Sequence, residues 1–351
     1  MHALVYEGPG QRVWREVPDA LVEEDTDAVV RVEAVTICGT DLHILRGDVP
    51  ETTPGTILGH EAVGTVMSIG PGVRRLRVGD RVLVSCITAC ATCAACRAGR
   101  YGQCQGGGGW ILGHTINGVQ AEYVRVPFAD TSTHPVPEGV PDDEVLMLAD
   151  ILPTSYEVGV RNGEVMPGDS VMLVGAGPIG LATITTAQLF TPGLLIVVDP
   201  AASRLQAAKA LGADVTLDPT TEDVPARIAD LTDGAGVDVA IEAVGIPETF
   251  ELCTSSVRSA GRVANVGVHG RAATLHLESL WIRDVTIRTG LVDTWSTPTL
   301  LNLLRRRKIA VGSMVTHRFG LSEMEHAYDI FERPAETGAL KVAMFAEHSS
   351  T

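Results

Sequence analysis

Four cysteines, Cys90, Cys93, Cys96 and Cys104, follow one another in the spacing C-x2-C-x2-C-x7-C. Thiolates so spaced can converge on one tetrahedral Zn²⁺, and four of them fill its coordination shell. Such a site is closed and structural. The residues between them (Ala91, Thr92, Ala94, Ala95, then Arg97 to Arg100) are small or polar and suit a lobe wrapped around an ion. The other reading of the run is disulfides or free thiols. Nothing else in the chain looks secreted: Met1–Gly10 (MHALVYEGPG) has no basic stretch leading into an apolar one. An odd total of seven cysteines, four of them in a metal-like cluster, fits a reducing compartment, so a cytoplasmic location is expected.

A second signal is Gly175-Ala-Gly177-Pro178-Ile179-Gly180, which follows the apolar run Val171–Val174 and opens a helix-like stretch. Between a strand and a helix, Gly175 permits the tight turn, Gly177 lets a pyrophosphate approach the backbone, and Gly180 lets the helix pack on the sheet. The phosphates of a dinucleotide are expected at the helix N-terminus, where free N–H groups and the dipole attract anions. Asp199 lies 19 residues after Gly180, at the end of the next strand-like run. A carboxylate there accepts from ribose hydroxyls and repels the 2′-phosphate of NADP, so NAD(H) is the expected cofactor. Arg204, close by, could soften that rejection; its alternative is an exposed residue in the first helical turn. Val268, Leu291 and Val292 follow late strands, whose ends face a ligand crevice in such sheets, or else belong to the core.

Two segments carry further donors. Ile37-Cys38-Gly39-Thr40-Asp41-Leu42-His43 offers a thiolate, and Pro54–Glu61 offers the imidazole of His60 beside the carboxylate of Glu61. A third, Leu148-Ala149-Asp150, closes the first half of the chain. Singly, each also reads as a buried cysteine, a core histidine or a helix-capping aspartate.

In their order along the chain, these segments, the four-cysteine lobe and the glycine run resemble the zinc-dependent medium-chain alcohol dehydrogenases, over essentially the whole length. Gly59-His60-Glu61 followed by Gly64 is similar to that family's G-H-E-x-x-G signature. Asp150 stands where many members have cysteine, as in the secondary-alcohol-dehydrogenase-like subgroup with Cys, His and Asp ligands. The resemblance implies a catalytic Zn²⁺ held by Cys38, His60 and Asp150, with Glu61 a nearby or transient ligand. One thiolate, one neutral imidazole and one carboxylate balance the ion's charge. Three protein ligands leave a position for an alcohol, aldehyde or ketone, whose proton loss or polarisation the metal promotes. The nicotinamide then carries the hydride.

The resemblance also assigns Thr40 and His43 to a proton relay through the nicotinamide ribose. It assigns Thr154 to a nicotinamide contact and Trp110 to a wall of the substrate pocket. Asp41 reads as structural. The resemblance further implies two zinc ions per chain and a homotetramer, or a homodimer. The same wording resembles threonine dehydrogenases, while polyol enzymes generally use glutamate as third ligand. A zinc or nucleotide-binding relative without turnover, and a zinc-free reductase, are the readings of another kind.

The elements that must position these groups fall into two textures. Before about residue 152, short Val-rich runs (Ala28–Val35, Ala62–Ile69, Asp80–Val84, Ala121–Val126) alternate with glycines and prolines and predict a mainly β domain. From Val171, strand-like runs alternate with helical ones: Ile179–Phe190, Ser203–Leu211, Val224–Leu231 and Pro247–Ser259. That pattern predicts a parallel sheet with helices on both faces. Helical stretches Pro298–Lys308 and Ser322–Glu332 and a closing strand Ala339–Phe345 follow. The expected fold is α/β: a GroES-like catalytic domain (residues 1–152 and 296–351) and a doubly wound Rossmann domain (residues 153–295). Gly106–Gly109 suggests a flexible loop beside the cysteine lobe. A formal net charge of −16 argues against nucleic acid as a partner. No apolar run approaches the ~20 residues of a membrane span.

Overall fold

The computed structural model describes residues Met1–Glu347. Among the described residues, fifteen strands carry the fold. The first segment contributes β1 (His2–Gly8), β2 (Gln11–Glu16), β3 (Ala28–Thr36), β4 (Ala62–Ile69), β5 (Arg81–Val84), β6 (Tyr123–Val126) and β7 (Thr133–Pro135). The middle segment contributes β8 (Ser170–Val174), β9 (Leu194–Val198), β10 (Val215–Leu217), β11 (Val237–Glu242), β12 (Val257–Asn265) and β13 (Thr286–Thr289). The last contributes β14 (Val315–Gly320) and β15 (Lys341–Phe345).

These form two compact units. One is Met1–Asp150 together with the chain from Asp293 onward; the other is Ile151–Val292. The first unit holds a seven-stranded sheet in the order β14-β15-β3-β4-β5-β7, with β6 also on β3, and a separate β1-β2 ribbon. Its core gathers Leu4, Val30, Val66, Leu112, Tyr328 and Met344. The register brings four chain segments to one end of this sheet. Val35 pairs with Ala62, so the end of β3 meets the start of β4. Ala62 pairs in turn with Val84 at the end of β5, and Thr36 with Ala343, two residues into β15 after Lys341. The residues just beyond these ends are Cys38, His60, Glu61, Cys86 and Lys341. Beyond β5, the Cys86 amide donates to the Ala149 carbonyl (3.1 Å), which draws Asp150 to the same place.

The second unit is a six-stranded parallel sheet in the order β10-β9-β8-β11-β12-β13. Its central strands read as unbroken apolar runs because helices cover both faces; Val171–Val174 and Leu195–Val198 are all buried. The strand order reverses between β8 and β11, the place where such sheets bind ligands. The helix expected over Pro247–Ser259 stops at Ser256, because Val257 pairs in parallel with Val237 and begins β12. The helix Gly39–Arg46, strands β1, β2, β7 and β14, and a π-helical stretch Ser155–Arg161 were not foreseen in the pattern. Arg305–Lys308 is an exposed helix end. No helix among the described residues is long and apolar enough to cross a membrane.

Candidate metal centres and nucleotide site

Cys38 ends the turn after β3 and is the N-cap of the helix Gly39–Arg46. The Asp41 carboxylate accepts its amide (2.9 Å), which fixes the turn and the direction of the thiol. His60 and Glu61 sit immediately before β4. One donor atom each from Cys38, His60, Glu61 and Asp150 lies within 4.8 Å of the others. The Cys38 thiol is 3.5 Å from Asp150 Oδ2 and 3.6 Å from Thr40 Oγ1. His60 Nε2 faces Asp150 Oδ2 at 3.6 Å and Glu61 Oε1 at 4.0 Å. Its other nitrogen, Nδ1, is buried without a hydrogen bond and faces Asp41 Oδ1 at 3.6 Å. Nε2 is therefore the nitrogen offered to the cluster, with a carboxylate behind the ring, as metal-ligating histidines require.

The electrostatics of the cluster call for a cation. Burial, then the charge of Asp150, pushes the Cys38 thiol up. Burial raises the Glu61 carboxyl against the opposing pull of Lys341. Burial disfavours the His60 imidazolium, but hydrogen bonds with Asp150 and Cys38 and the charge of Asp41 outweigh it, holding the ring well above its usual value. Acids packed this closely in a dry site are harder to ionise, and a divalent ion would favour their ionised forms and satisfy the same groups. The donor set, one soft sulfur, one imidazole and carboxylate oxygen, suits Zn²⁺.

Behind the site runs a buried chain that spacing in sequence does not reveal. Tyr328 donates to Gln120 Oε1 (2.8 Å), and Gln120 Nε2 donates to Asp41 Oδ2 (3.2 Å). Lys341 donates to both Glu61 oxygens (2.7 and 3.0 Å) and to the Ile37 carbonyl (3.1 Å). Both members of that ion pair are essentially inaccessible to solvent. Cys86, also buried, keeps its proton: burial, then the charge of Asp150, pushes the thiol well above the ordinary value. The Trp110 ring meets His60 edge-on (centroids 6.3 Å apart) and stacks on His114. His43 Nδ1 is held by Asp48 at 2.9 Å.

The other four cysteines form a second cluster, again with donor atoms within 4.8 Å. Backbone amides aim at its sulfurs: Cys93 N–H at Cys90, Cys96 and Gln105 N–H at Cys93, each at 3.4 Å, and Cys90 N–H at Cys104 at 3.5 Å. Such donors favour thiolates. The Thr92 hydroxyl foremost draws Cys90 down to about 6, and amides lower Cys93, whereas burial pushes Cys96 up to about 12. All seven cysteines are free. Two of the glycines that follow, Gly106 and Gly108, are packed against these thiols. A Cβ on Gly106 would stand 2.5 Å from Cys90 Sγ, and one on Gly108 would stand 2.6 Å from the Thr88 carbonyl and 3.1 Å from Cys104 Sγ. At Gly106 and Gly108 the backbone closes over the thiols where a side chain would not fit, whereas a Cβ on Gly107 would meet nothing within 4 Å.

In the second unit, Gly175 turns with φ +98°, and a Cβ on Gly180 would lie 2.0 Å from the Gly175 carbonyl. Gly177 caps the helix Pro178–Ala187, and a Cβ there would meet nothing within 4 Å. Gly175 and Gly180 are thus required by the protein, and Gly177 opens onto free space at a helix N-terminus. Gly177→Ala should leave the thermal midpoint unchanged and raise the Kd for NADH about tenfold or more. Gly180→Ala should instead lower the midpoint, by about 1–3 kcal/mol of stability, through overpacking. Fluorescence titration and thermal melts of the two variants check this.

Asp199 is buried and accepts the Ala176 and Ala201 amides, both at 2.8 Å. It therefore braces the glycine turn, while each oxygen keeps a further acceptor site. Arg204 reaches its carboxylate at 3.8 Å. Thr154 ends the helix Ile151–Thr154. Val268 and Leu291 are exposed beyond β12 and β13, whereas Val292 is buried.

The chain matches two family models, "Alcohol dehydrogenase GroES-like domain" over residues 24–138 and "Zinc-binding dehydrogenase" over residues 178–306. It is 35% identical to an alcohol dehydrogenase of Cupriavidus necator, with 98% of each chain covered. It is also 35% identical to an L-threonine 3-dehydrogenase of Pyrococcus horikoshii, over 89% of each. The solved structure of zinc dependent alcohol dehydrogenase 2 from Streptococcus pneumonia superposes with a TM-score of 0.95, at 46% identity and full coverage of both chains.

Proposed function

The chain belongs to the zinc-dependent medium-chain alcohol dehydrogenase family, and from that premise we propose that it transfers hydride reversibly between a primary or secondary alcohol and NAD. It is an oxidoreductase acting on CH–OH groups. The observation that carries the proposal is the convergence of Cys38, His60 and Asp150, with Glu61, in one buried cluster.

In the proposed reaction Cys38, His60 and Asp150 hold the catalytic Zn²⁺, and Cys90, Cys93, Cys96 and Cys104 hold a structural one. The catalytic ion, when bound, supplies the Lewis acidity that favours loss of the hydroxyl proton. Asp41 fixes the His60 ring and caps the helix that carries Thr40 and His43. The Thr40 hydroxyl, beside the Cys38 sulfur, both accepts and donates, and so can take the proton from the substrate hydroxyl. His43, with Nδ1 held by Asp48, keeps Nε2 for the next transfer. Trp110, edge-on to His60, walls the substrate side.

Gly175, Gly177, Pro178, Ile179 and Gly180 bind the pyrophosphate. Asp199 accepts the ribose hydroxyls and disfavours NADP, and Thr154, Val268, Leu291 and Val292 contact the nicotinamide end. Free thiols in a metal-binding arrangement support a cytoplasmic setting. Exposed Leu277, Trp281 and Ile282, close in sequence before the sheet-edge strand β13, support a homotetramer or homodimer.

The Pyrococcus relative favours a second reading, an amino-alcohol substrate such as threonine. The test is metal content with turnover on a panel of primary alcohols, secondary alcohols, polyols and threonine. Two zinc ions per chain and alcohol-dependent NAD⁺ reduction are expected. A folded, zinc-loaded protein that turns over none of the panel would refute the enzyme reading. Threonine as the sole good substrate would establish the second.

A further inference from the structure

Lys341 is a fully buried cation that the reaction as described leaves without a task. It stands at the start of β15, and all three of its N–H donors are used: two on the Glu61 carboxylate and one on the Ile37 carbonyl. One ammonium thus ties together the two loops that carry Cys38 and His60. Glu61 itself is close enough to be a ligand, since a carboxylate oxygen shares the 4.8 Å cluster with the other donors. If it joined them, it would fill the position a substrate needs.

We propose that Lys341 is a positioning residue that holds Glu61 off the catalytic metal and so keeps the substrate's coordination position open. The inference rests on Cys38, His60 and Asp150 being the ligands of that metal. The charge sum supports it. A thiolate and two carboxylates carry three negative charges, and a divalent ion plus one ammonium balance them. Without the ammonium, the Glu61 charge is buried and uncompensated, a costly state. The divalent ion is then the cation within reach that can relieve it. Lysine suits the task because its three donors point apart, two to one carboxylate and one to a different loop.

The test uses the full chain loaded with Co²⁺, read by visible absorption and by the rate of metal release to a chelator. Cys38→Ser identifies the bands of this centre. If it changes none, the ligand assignment itself fails, and that result is distinguishable from failure of the present inference. Lys341→Met is expected to give the weaker, shifted bands of a higher coordination number and release slowed about tenfold or more, the scale of outer-shell effects on metal affinity. Lys341→Arg and the double variant Lys341→Met/Glu61→Gln should keep the parent's bands. A folded Lys341→Met with the parent's bands and release rate overturns the proposal. Should Lys341→Met not fold, Glu61→Gln decides: unchanged bands show Glu61 held off the metal, and altered bands show it already bound, against the proposal.

Discussion

Cys38→Ala and His60→Ala are each expected to lower kcat/KM by at least ~10³-fold while leaving a folded protein that binds NADH with roughly the parent's affinity. A metal acting as Lewis acid contributes several kcal/mol to such a reaction, and each ~1.4 kcal/mol is tenfold in rate. Losing one of three ligands removes most of that contribution. Folding should survive, because the sheet that presents both residues is closed by apolar packing around Val30, Val66 and Met344 rather than by the cluster. NADH affinity should survive because the glycine turn and Asp199 belong to the other compact unit. The measurements are steady-state kinetics, metal content and NADH fluorescence on the same preparations. Near-parental turnover in either variant would show that the reaction does not run through this cluster.

The second large effect is on stability. Cys93→Ser is expected to lose one zinc equivalent and to lower the thermal midpoint by about 10 °C or more. Structural zinc contributes folding energy outright, and ~3 kcal/mol corresponds to a shift of this size in a domain of this length. The lobe has little else to hold it. Its helix, Ala94–Arg97, has four residues and buries only Cys96. Cys93 also accepts two amides, from Cys96 and Gln105, so its loss unties both ends of the lobe. A variant with the parent's midpoint and full zinc content would remove the structural role.

What the sequence revealed and what it hid differ in a physical way. The cysteine lobe and the glycine turn were legible because their chemistry is local: spacing alone fixes which atoms can meet. The central strands were legible because parallel sheets bury both faces and leave unbroken apolar runs. The end of the helix begun at Pro247 was not, since the residues up to Ser259 contain no breaker and only pairing with Val237 ends it. The catalytic cluster needed a family resemblance, because Cys38 and Asp150 are 112 residues apart. Lys341, Gln120 and Tyr328 gave no signal at all. A buried lysine at a strand's start reads like an exposed one until its partner, 280 residues away, is known. The crowding at Gly106 and Gly108 was hidden for a related reason: glycines mark both slack and close approach, and only the sulfurs packed against these two tell which.

The placement of β15 between β14 and β3 has a consequence for biosynthesis. Translation delivers Cys38, His60 and Glu61 early, but their counter-charge leaves the ribosome only after the whole of Ile151–Val292. Until then the end of β3 from Ala34 to Thr36 lacks its β15 partner and Glu61 has no ammonium to meet it. The nucleotide-binding unit can mature on the growing polypeptide, whereas the metal-holding unit must wait until β15 has been made.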